Sequence, residues 1–153
     1  MNRPRIGISS CLLGDEVRFD GGHKRNAFLT DVLAPHVEWV PVCPEVEIGM
    51  GVPRETLHLV RVGNDTRMIT TETGIDHTDA MRAYAERRVR ELEAMGLQGY
   101  VLKSKSPSCG MEDGIFAKIL RARLPALPIE EESRLNDPVL REHFIQRVLG
   151  HHV

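Results

Sequence analysis

The chain has 153 residues, of which 41% are hydrophobic and 27% are charged, and its formal net charge is −2. This size and composition are typical of a globular protein, and we predict a single domain over residues 1–153. The slightly acidic balance argues against binding to long nucleic acid, which depends on many Lys and Arg contacts with phosphate.

The first half of the chain opens with an apolar stretch that predicts a strand at Arg5–Ser9. A loop rich in Gly and charge follows at 14–23, and helical periodicity predicts a helix at 24–33. A second strand is predicted at 37–42, and an irregular stretch at 46–55 comes after it. The predicted helix has Pro35 as its stop and an apolar face made of Phe28, Leu29, Val32 and Leu33.

The second half of the chain predicts a hairpin and then a return to alternating helices and strands. In chain order, its elements are β segments at 57–62 and 67–71 joined by Gly63-Asn64-Asp65, a helix at 78–95 capped by Asp76 or Thr78 and stopped by Gly96, a strand at 100–102, a helix at 115–122, a strand at 128–130, a last helix from Asn136 or Asp137 to Gly150, and an exposed tail with His151 and His152. This order predicts an α/β fold: a single Rossmann-like domain with a mainly parallel sheet, helices on both faces and a small inserted hairpin.

Three cysteines, Cys11, Cys43 and Cys109, each follow a predicted strand. Their chemistry depends on the cellular compartment, and we expect a cytoplasmic protein, because no stretch resembles a signal peptide or approaches the ~20 apolar residues of a membrane span. Thiols stay reduced there, so the cysteines are core residues, nucleophiles or metal ligands rather than disulfide partners. A single Cys after a strand is usually a core residue. Three at equivalent positions are expected to converge, because the carboxyl ends of parallel strands share one edge.

Converging thiolates are soft ligands that suit zinc, copper(I) or an iron–sulfur cluster. A structural zinc site needs four protein ligands, and the nearest candidate for a fourth is His23. Spacing alone does not distinguish zinc from a cluster. A cysteine phosphatase is a further alternative for Cys11, but it requires five residues between Cys and Arg, whereas six separate Cys11 from Arg18. The carboxylates of Asp15 and Glu16 would also repel an anion, so we reject that alternative.

Polar residues accompany the cysteines at these predicted strand ends. Glu45 stands two residues after Cys43 and is a candidate general acid or base. The segment from Lys103 to Ser108 alternates Lys and Ser, and an extended backbone would place Ser104 and Ser106 on one face and the lysines on the other. Ser104, Ser106 and Ser108 can donate hydrogen bonds to a substrate, and Lys103 and Lys105 can face phosphate.

Several motifs together resemble the TudS-like thiouracil desulfidase family over nearly the whole chain. They are Ile8 to Gly14, Val17 to Lys24, Val42 to Glu45, Gly49 to Arg54, Lys103 to Gly110 and Leu127 to Glu132. The resemblance implies a 4Fe-4S cluster bound by Cys11, Cys43 and Cys109, with one iron open. A cluster with such an exposed iron is easily lost in air. It implies removal of sulfur from thiouracil or 4-thiouridine monophosphate without net redox chemistry.

In the mechanism that this resemblance suggests, the open iron polarises the thiocarbonyl group as a Lewis acid. Glu45 activates water and Ser104 orients the ring, so these two are the predicted catalytic residues. The predicted substrate contacts are Ser10, Lys24, Lys103 and Ser106.

The expected partner is therefore a small thiolated nucleobase or nucleotide. We expect no membrane association, and the sequence is compatible with a homodimer. One alternative is an iron–sulfur or zinc redox sensor without catalysis, and another is a metal-free α/β protein with three buried cysteines. A sensor would not need Glu45 and a Ser- and Lys-rich strand end beside its cysteines, which favours the enzyme.

Overall fold

The computed structural model describes residues 3–150 of the chain. Its strands are β1 (Arg5–Ser9), β2 (Glu38–Val42), β3 (Leu57–Val62), β4 (Asp65–Thr70), β5 (Gly99–Leu102) and β6 (Ile129–Glu131). Four of them form a sheet in the order β2-β1-β5-β6, in which every neighbouring pair is parallel. β3 and β4 form a separate antiparallel hairpin. The predicted α/β fold with a mainly parallel sheet and a small hairpin is confirmed.

The helices begin and end largely where local sequence signals place them. They are α1 (Pro44–Glu47), α2 (Thr78–Ala94), α3 (Ile115–Arg123) and α4 (Pro138–Leu149), with 3-10 turns at Ser10–Leu13, Ala34–His36 and Arg134–Asn136 and one π-helical turn at Phe28–Leu33. At α4 the side chain of Asp137 accepts hydrogen bonds from the backbone N–H groups of Val139 and Leu140. Of the two residues predicted as the cap, Asp137 is therefore the one that caps α4. His151 and His152 lie outside the described residues.

The predicted helix at 24–33 is wrong in its extent and in part of its apolar face. Regular helix begins only at Phe28, because the Lys24 N–H donates to the Cys11 carbonyl and so belongs to the preceding loop. Leu29 and Leu33 are buried, but Val32 is 48% exposed, since a π-helical turn rotates side chains differently from an α-helix.

Two smaller boundary predictions are also wrong. The hairpin turn contains only Gly63 and Asn64, because β4 already begins at Asp65 and pairs with Val62. The stretch predicted as irregular from Val46 includes the end of α1, which Pro44 starts as a first-turn residue.

Helices cover both faces of the sheet, as predicted. Tyr100 and Leu102 of β5 point to one face, where they pack with residues of α2 and α3. Val101 points to the other face and packs with residues of α4 and of the π-helical turn. The helices on both faces thus bury all of β5. Within residues 3–150 no helix is long and apolar enough to cross a membrane.

Candidate functional site

A cavity of about 680 Å³ lies at the carboxyl end of the parallel sheet. It is formed where the loops after β1, β2, β5 and β6 meet, which is the usual ligand position in such folds. All of the residues predicted for the site line it: Ser10, Cys11, Lys24, Cys43, Glu45, Lys103, Ser104, Ser106 and Cys109. The three cysteines that are far apart in the sequence thus share one cavity.

The three cysteines are free thiols held on different elements. Cys11 lies in the 3-10 turn after β1, Cys43 precedes α1, and Cys109 follows the turn after β5. Burial raises the pKa of the Cys11 thiol to about 11, and it raises the pKa of Cys43 and Cys109 as well. The cause is the cost of a thiolate in an apolar environment. None of the three thiols is therefore activated as a free nucleophile.

The loop that carries Cys109 is tightly folded. The Ser106 hydroxyl accepts hydrogen bonds from the Ser108 and Cys109 N–H groups at 3.2 and 3.0 Å. A Cβ added at Gly110 would lie 2.7 Å from the Ser106 carbonyl oxygen, and one at Gly114 would lie 2.5 Å from the Ser108 carbonyl oxygen. Only glycine allows the chain to close this tightly around Cys109.

The segment between Lys103 and Ser108 is not extended, so the predicted alternation of Ser and Lys faces is wrong. Lys105 has a φ of 60°, in the left-handed region, and the residues around it form turns. Ser104 and Ser106 still line the cavity, but each has a partner in the protein. The Ser106 hydroxyl uses its oxygen as an acceptor and retains its hydrogen for donation.

Cys43 and Glu45 are oriented through the short helix α1. The Cys43 N–H donates to Glu47 Oε2 at 2.9 Å, while Glu47 Oε1 accepts from the Tyr84 hydroxyl at 2.7 Å. Arg88 Nε also lies 3.2 Å from that oxygen. Glu47 thereby attaches α1, the helix that carries Glu45, to α2.

Both carboxylate oxygens of Glu45 are bound inside the protein. Arg54 Nε donates to Oε1 at 3.0 Å and the Ser108 hydroxyl donates to Oε2 at 3.0 Å. The Glu45 and Arg54 side chains are only 15% and 6% exposed. Sequence analysis did not single out Arg54 as a site residue, although it lies in the Gly49 to Arg54 motif of the resemblance. It considered Ser108 only as a donor to substrate.

Glu132, just after β6, forms a second buried carboxylate of the cavity. It accepts from the Ser104 N–H at 2.6 Å and from the Ser104 hydroxyl at 3.3 Å, and Lys103 Nζ lies 3.8 Å away. Lys103 Nζ also donates to the Ser104 carbonyl at 2.8 Å. The predicted site residues Lys103 and Ser104 are therefore anchored by a residue that sequence analysis did not assign to the site.

Among residues 3–150, one buried hydroxyl of the cavity makes no hydrogen bond and three of its cationic side chains pair with no carboxylate, while the Arg18 guanidinium lies 5.4 Å from the centre of the Phe19 ring. Ser10 is only 6% exposed, yet its hydroxyl makes no hydrogen bond within that part of the chain. The cations of Arg18, Lys24 and Lys105 line or flank the cavity, and none has a carboxylate partner within the same range. The cavity thus offers a buried hydrogen-bond donor and unpaired positive charge to a ligand.

The structure gives no support to His23 as a fourth metal ligand. His23 is exposed and does not line the cavity, and its Nδ1 accepts a hydrogen bond from the Arg25 N–H at 3.1 Å. Across residues 3–150, no three His, Cys, Asp or Glu side chains are grouped closely enough for a single metal ion. Three soft thiols around a shared cavity instead fit an iron–sulfur cluster, whose ligands attach to different irons.

A family model and a solved structure both point to thiouracil desulfuration. A model of the 2-thiouracil desulfurase family matches residues 6–132. The chain is 32% identical over 110 residues to the uncharacterized protein YbbK of Bacillus subtilis (strain 168), covering 69% of this chain and 72% of YbbK. It is also similar to the solved structure of the 4Fe-4S-dependent thiouracil desulfidase TudS, with a TM-score of 0.74 and 29% identity over 92% of this chain and 97% of that one.

Proposed function

Since the chain belongs to the 2-thiouracil desulfurase family, we propose that it removes sulfur from a thiolated pyrimidine at a 4Fe-4S cluster held by Cys11, Cys43 and Cys109. The observation that supports this most directly is the shared cavity, which the three free thiols line together with Glu45. The similarity to a 4Fe-4S-dependent desulfidase supports the choice of cofactor. We further propose that residues 1–153 act as a single domain.

The donor set has the chemistry that such a cluster needs. Three cysteine thiolates leave one iron of a cubane without a protein ligand. When bound, the cluster would supply that open iron as a Lewis acid for the thiocarbonyl group. The chain itself contributes three thiols on three separate strand-end segments, so that they surround the cavity rather than a single point.

Glu45 is the residue best placed for the proton chemistry. In the proposed reaction, water adds to the thiocarbonyl carbon, the carbon–sulfur bond breaks, and a carbonyl group and hydrogen sulfide result, so no electrons are gained or lost overall. A carboxylate oxygen has two lone pairs, and each oxygen of Glu45 uses one for its bond to Arg54 or Ser108. The remaining lone pairs can accept a proton from the attacking water.

Ser10 is the proposed hydrogen-bond donor to the pyrimidine ring. Ser104, whose hydroxyl hydrogen is donated to Glu132, is the proposed acceptor from a ring N–H. Ser104 is held against Glu132, so its position is defined before substrate arrives. The Ser10 hydroxyl has no partner among the described residues, and a buried hydroxyl without a partner is costly. A carbonyl or ring nitrogen of the substrate would satisfy it.

The charge at the cavity favours a nucleotide over a free base. Arg18, Lys24 and Lys105 have no carboxylate partner in the described part of the chain, and a phosphate group would neutralise them. The cavity of about 680 Å³ is also large enough for a mononucleotide, since small-molecule sites span ~300–1,000 Å³. We therefore propose 4-thiouridine monophosphate as the preferred substrate, ahead of 4-thiouracil.

The test is anaerobic purification and cluster reconstitution of the full chain, followed by iron, sulfide and turnover assays. We expect about four irons per chain, in line with a cubane cluster, and release of sulfide from both thio-substrates with a lower KM for the nucleotide. Protein that stays colourless and iron-free after reconstitution would contradict the cluster. A loaded cluster that releases no sulfide would favour a redox sensor instead.

A further inference from the structure

The guanidinium of Arg54 is largely buried beside the Glu45 carboxylate, and each of its three nitrogens donates a hydrogen bond within the protein. Its Nε donates to Glu45 Oε1 at 3.0 Å, its Nη1 to the Gly51 carbonyl at 2.8 Å and its Nη2 to the Val17 carbonyl at 2.8 Å. Only 6% of the side chain is exposed. Every nitrogen therefore has a defined partner, so the guanidinium is held in one orientation at the wall of the cavity.

The three partners of Arg54 come from three different segments of the cavity wall. Val17 belongs to the loop after the Cys11 turn, Glu45 to α1, and Gly51 to the loop after α1. The Val17 carbonyl also lies 4.0 Å from the Cys43 sulfur. Arg54 thus connects the Cys11 loop to the helix that carries Glu45, at a point next to Cys43.

Ser108 completes the arrangement on the other carboxylate oxygen. Its hydroxyl donates to Glu45 Oε2 at 3.0 Å, and the residue is only 1% exposed. With one donor on each oxygen, the plane of the carboxylate is determined from two sides. Ser108 is also the neighbour of Cys109, so the orientation of Glu45 depends on both the Cys43 and the Cys109 segments.

From this geometry we infer that Arg54 is a positioning residue for desulfuration, which acts by fixing the Glu45 carboxylate together with Ser108. This inference rests on the proposed function. A fork of planar donors matches two carbonyls and a carboxylate at once, whereas a lysine ammonium cannot reach all three in the same geometry. Misplacement of a reacting group by about 1 Å can cost ~100-fold in rate.

The experiment compares Arg54→Ala and Arg54→Lys with wild type and with Arg61→Ala, which removes an exposed arginine of β3. Iron content, kcat and KM are measured for each reconstituted protein with 4-thiouridine monophosphate. We expect Arg54→Ala to keep its iron and lose roughly 100-fold in kcat, with KM changed less than about threefold. Added guanidinium ion should restore part of kcat, and methylammonium should not. Arg61→Ala should match wild type.

Three results would overturn the inference. The first is an Arg54→Ala protein with the kcat of wild type. The second is a reduced kcat that added guanidinium ion does not restore. The third is a loss of iron that by itself accounts for the whole fall in kcat. If Arg54→Ala does not fold, Arg54→Lys decides: a lower kcat at equal iron content supports the inference, and an unchanged kcat refutes it. Wild-type protein that releases no sulfide would refute the proposed function itself, whereas an active wild type with insensitive Arg54 variants refutes only the role of Arg54.

Discussion

Two arginines of this protein make ion pairs in very different surroundings. Arg54 is 6% exposed and binds one carboxylate, Glu45, which is 15% exposed. Arg67 on the hairpin is 23% exposed and pairs with Asp65 at 3.0 Å, Asp76 at 2.7 Å and Asp79 at 3.5 Å, partners that are 36–84% exposed. Arg82 joins the same group through Asp65 at 2.6 Å.

The number of ion pairs that an arginine makes does not indicate how much free energy is lost when the arginine is removed. Exposed pairs are weakened by water and salt and contribute little each. Breaking a buried pair leaves a charge without solvent or partner, which typically costs ~3–5 kcal/mol. The Arg67 group therefore connects the hairpin to α2, whereas the Arg54–Glu45 pair lies in the wall of the cavity. The predictions that follow test this division.

The largest effect is expected from the cysteines at the cavity. Cys109→Ser removes one of the three soft ligands, and a serine hydroxyl is a poor substitute for a thiolate. We expect iron content after reconstitution to fall to near background and sulfide release to be lost. Iron assay and the visible absorbance of the cluster measure this. A Cys109→Ser protein with full iron and turnover would show that Cys109 is only a core residue.

Glu45→Gln should separate chemistry from cluster binding. The amide keeps the size of the side chain but cannot accept a proton from water. We expect normal iron content and a kcat lower by roughly 100- to 10,000-fold, the usual contribution of general acid–base catalysis. Turnover and iron are measured on the same sample. Activity near that of wild type would remove Glu45 from the mechanism.

The hairpin should give the smallest effect, and only on stability. Hydrogen bonds from Arg82 and Arg67 lower the pKa of Asp65 to about 2, and those from Arg67 and Thr78 hold the pKa of Asp76 below its usual range. A lowered pKa in the folded state stabilises the protein above the unfolded pKa of ~3.9. That stabilisation is lost as the pH falls from about 4 towards 2.

Thermal unfolding of wild type and Arg67→Ala, measured between neutral and acidic pH, tests this. Wild type should have the higher Tm at neutral pH by a small margin, and the two curves should converge as the carboxylates become protonated. Added salt should also reduce the difference. Desulfuration by the reconstituted variant should equal that of wild type. A large loss of activity in Arg67→Ala would contradict the contrast with Arg54.

Local sequence signals predicted much of the fold because each acts within a few residues. Asp137 and Pro138 start α4 through backbone groups nearby, and Gly150 ends it with a φ of 77°. The π-helical turn at Phe28–Leu33 was not predictable in this way. Its start depends on a hydrogen bond from Lys24 to Cys11, thirteen residues earlier in the chain.

The candidate site shows the same division. Strand alternation and the carboxyl-edge rule were enough to predict that Cys11, Cys43 and Cys109 face one cavity, and the structure places them there. The pairing of Lys103 with Glu132 was not predicted, because Glu132 reaches Lys103 and Ser104 only through the pairing of β6 with β5. The turn at Lys105 was not predicted either.

The sequence by itself determined the α/β order, the strand-end positions of the cysteines and Glu45, and the motifs of the family. Only the tertiary structure decided which groups hold Glu45. Arg54 is nine residues away and Ser108 sixty-three, and neither pairing leaves a local pattern. Periodicity and capping act between near neighbours, whereas hydrogen bonds that converge on one carboxylate depend on how separate loops meet at the sheet edge.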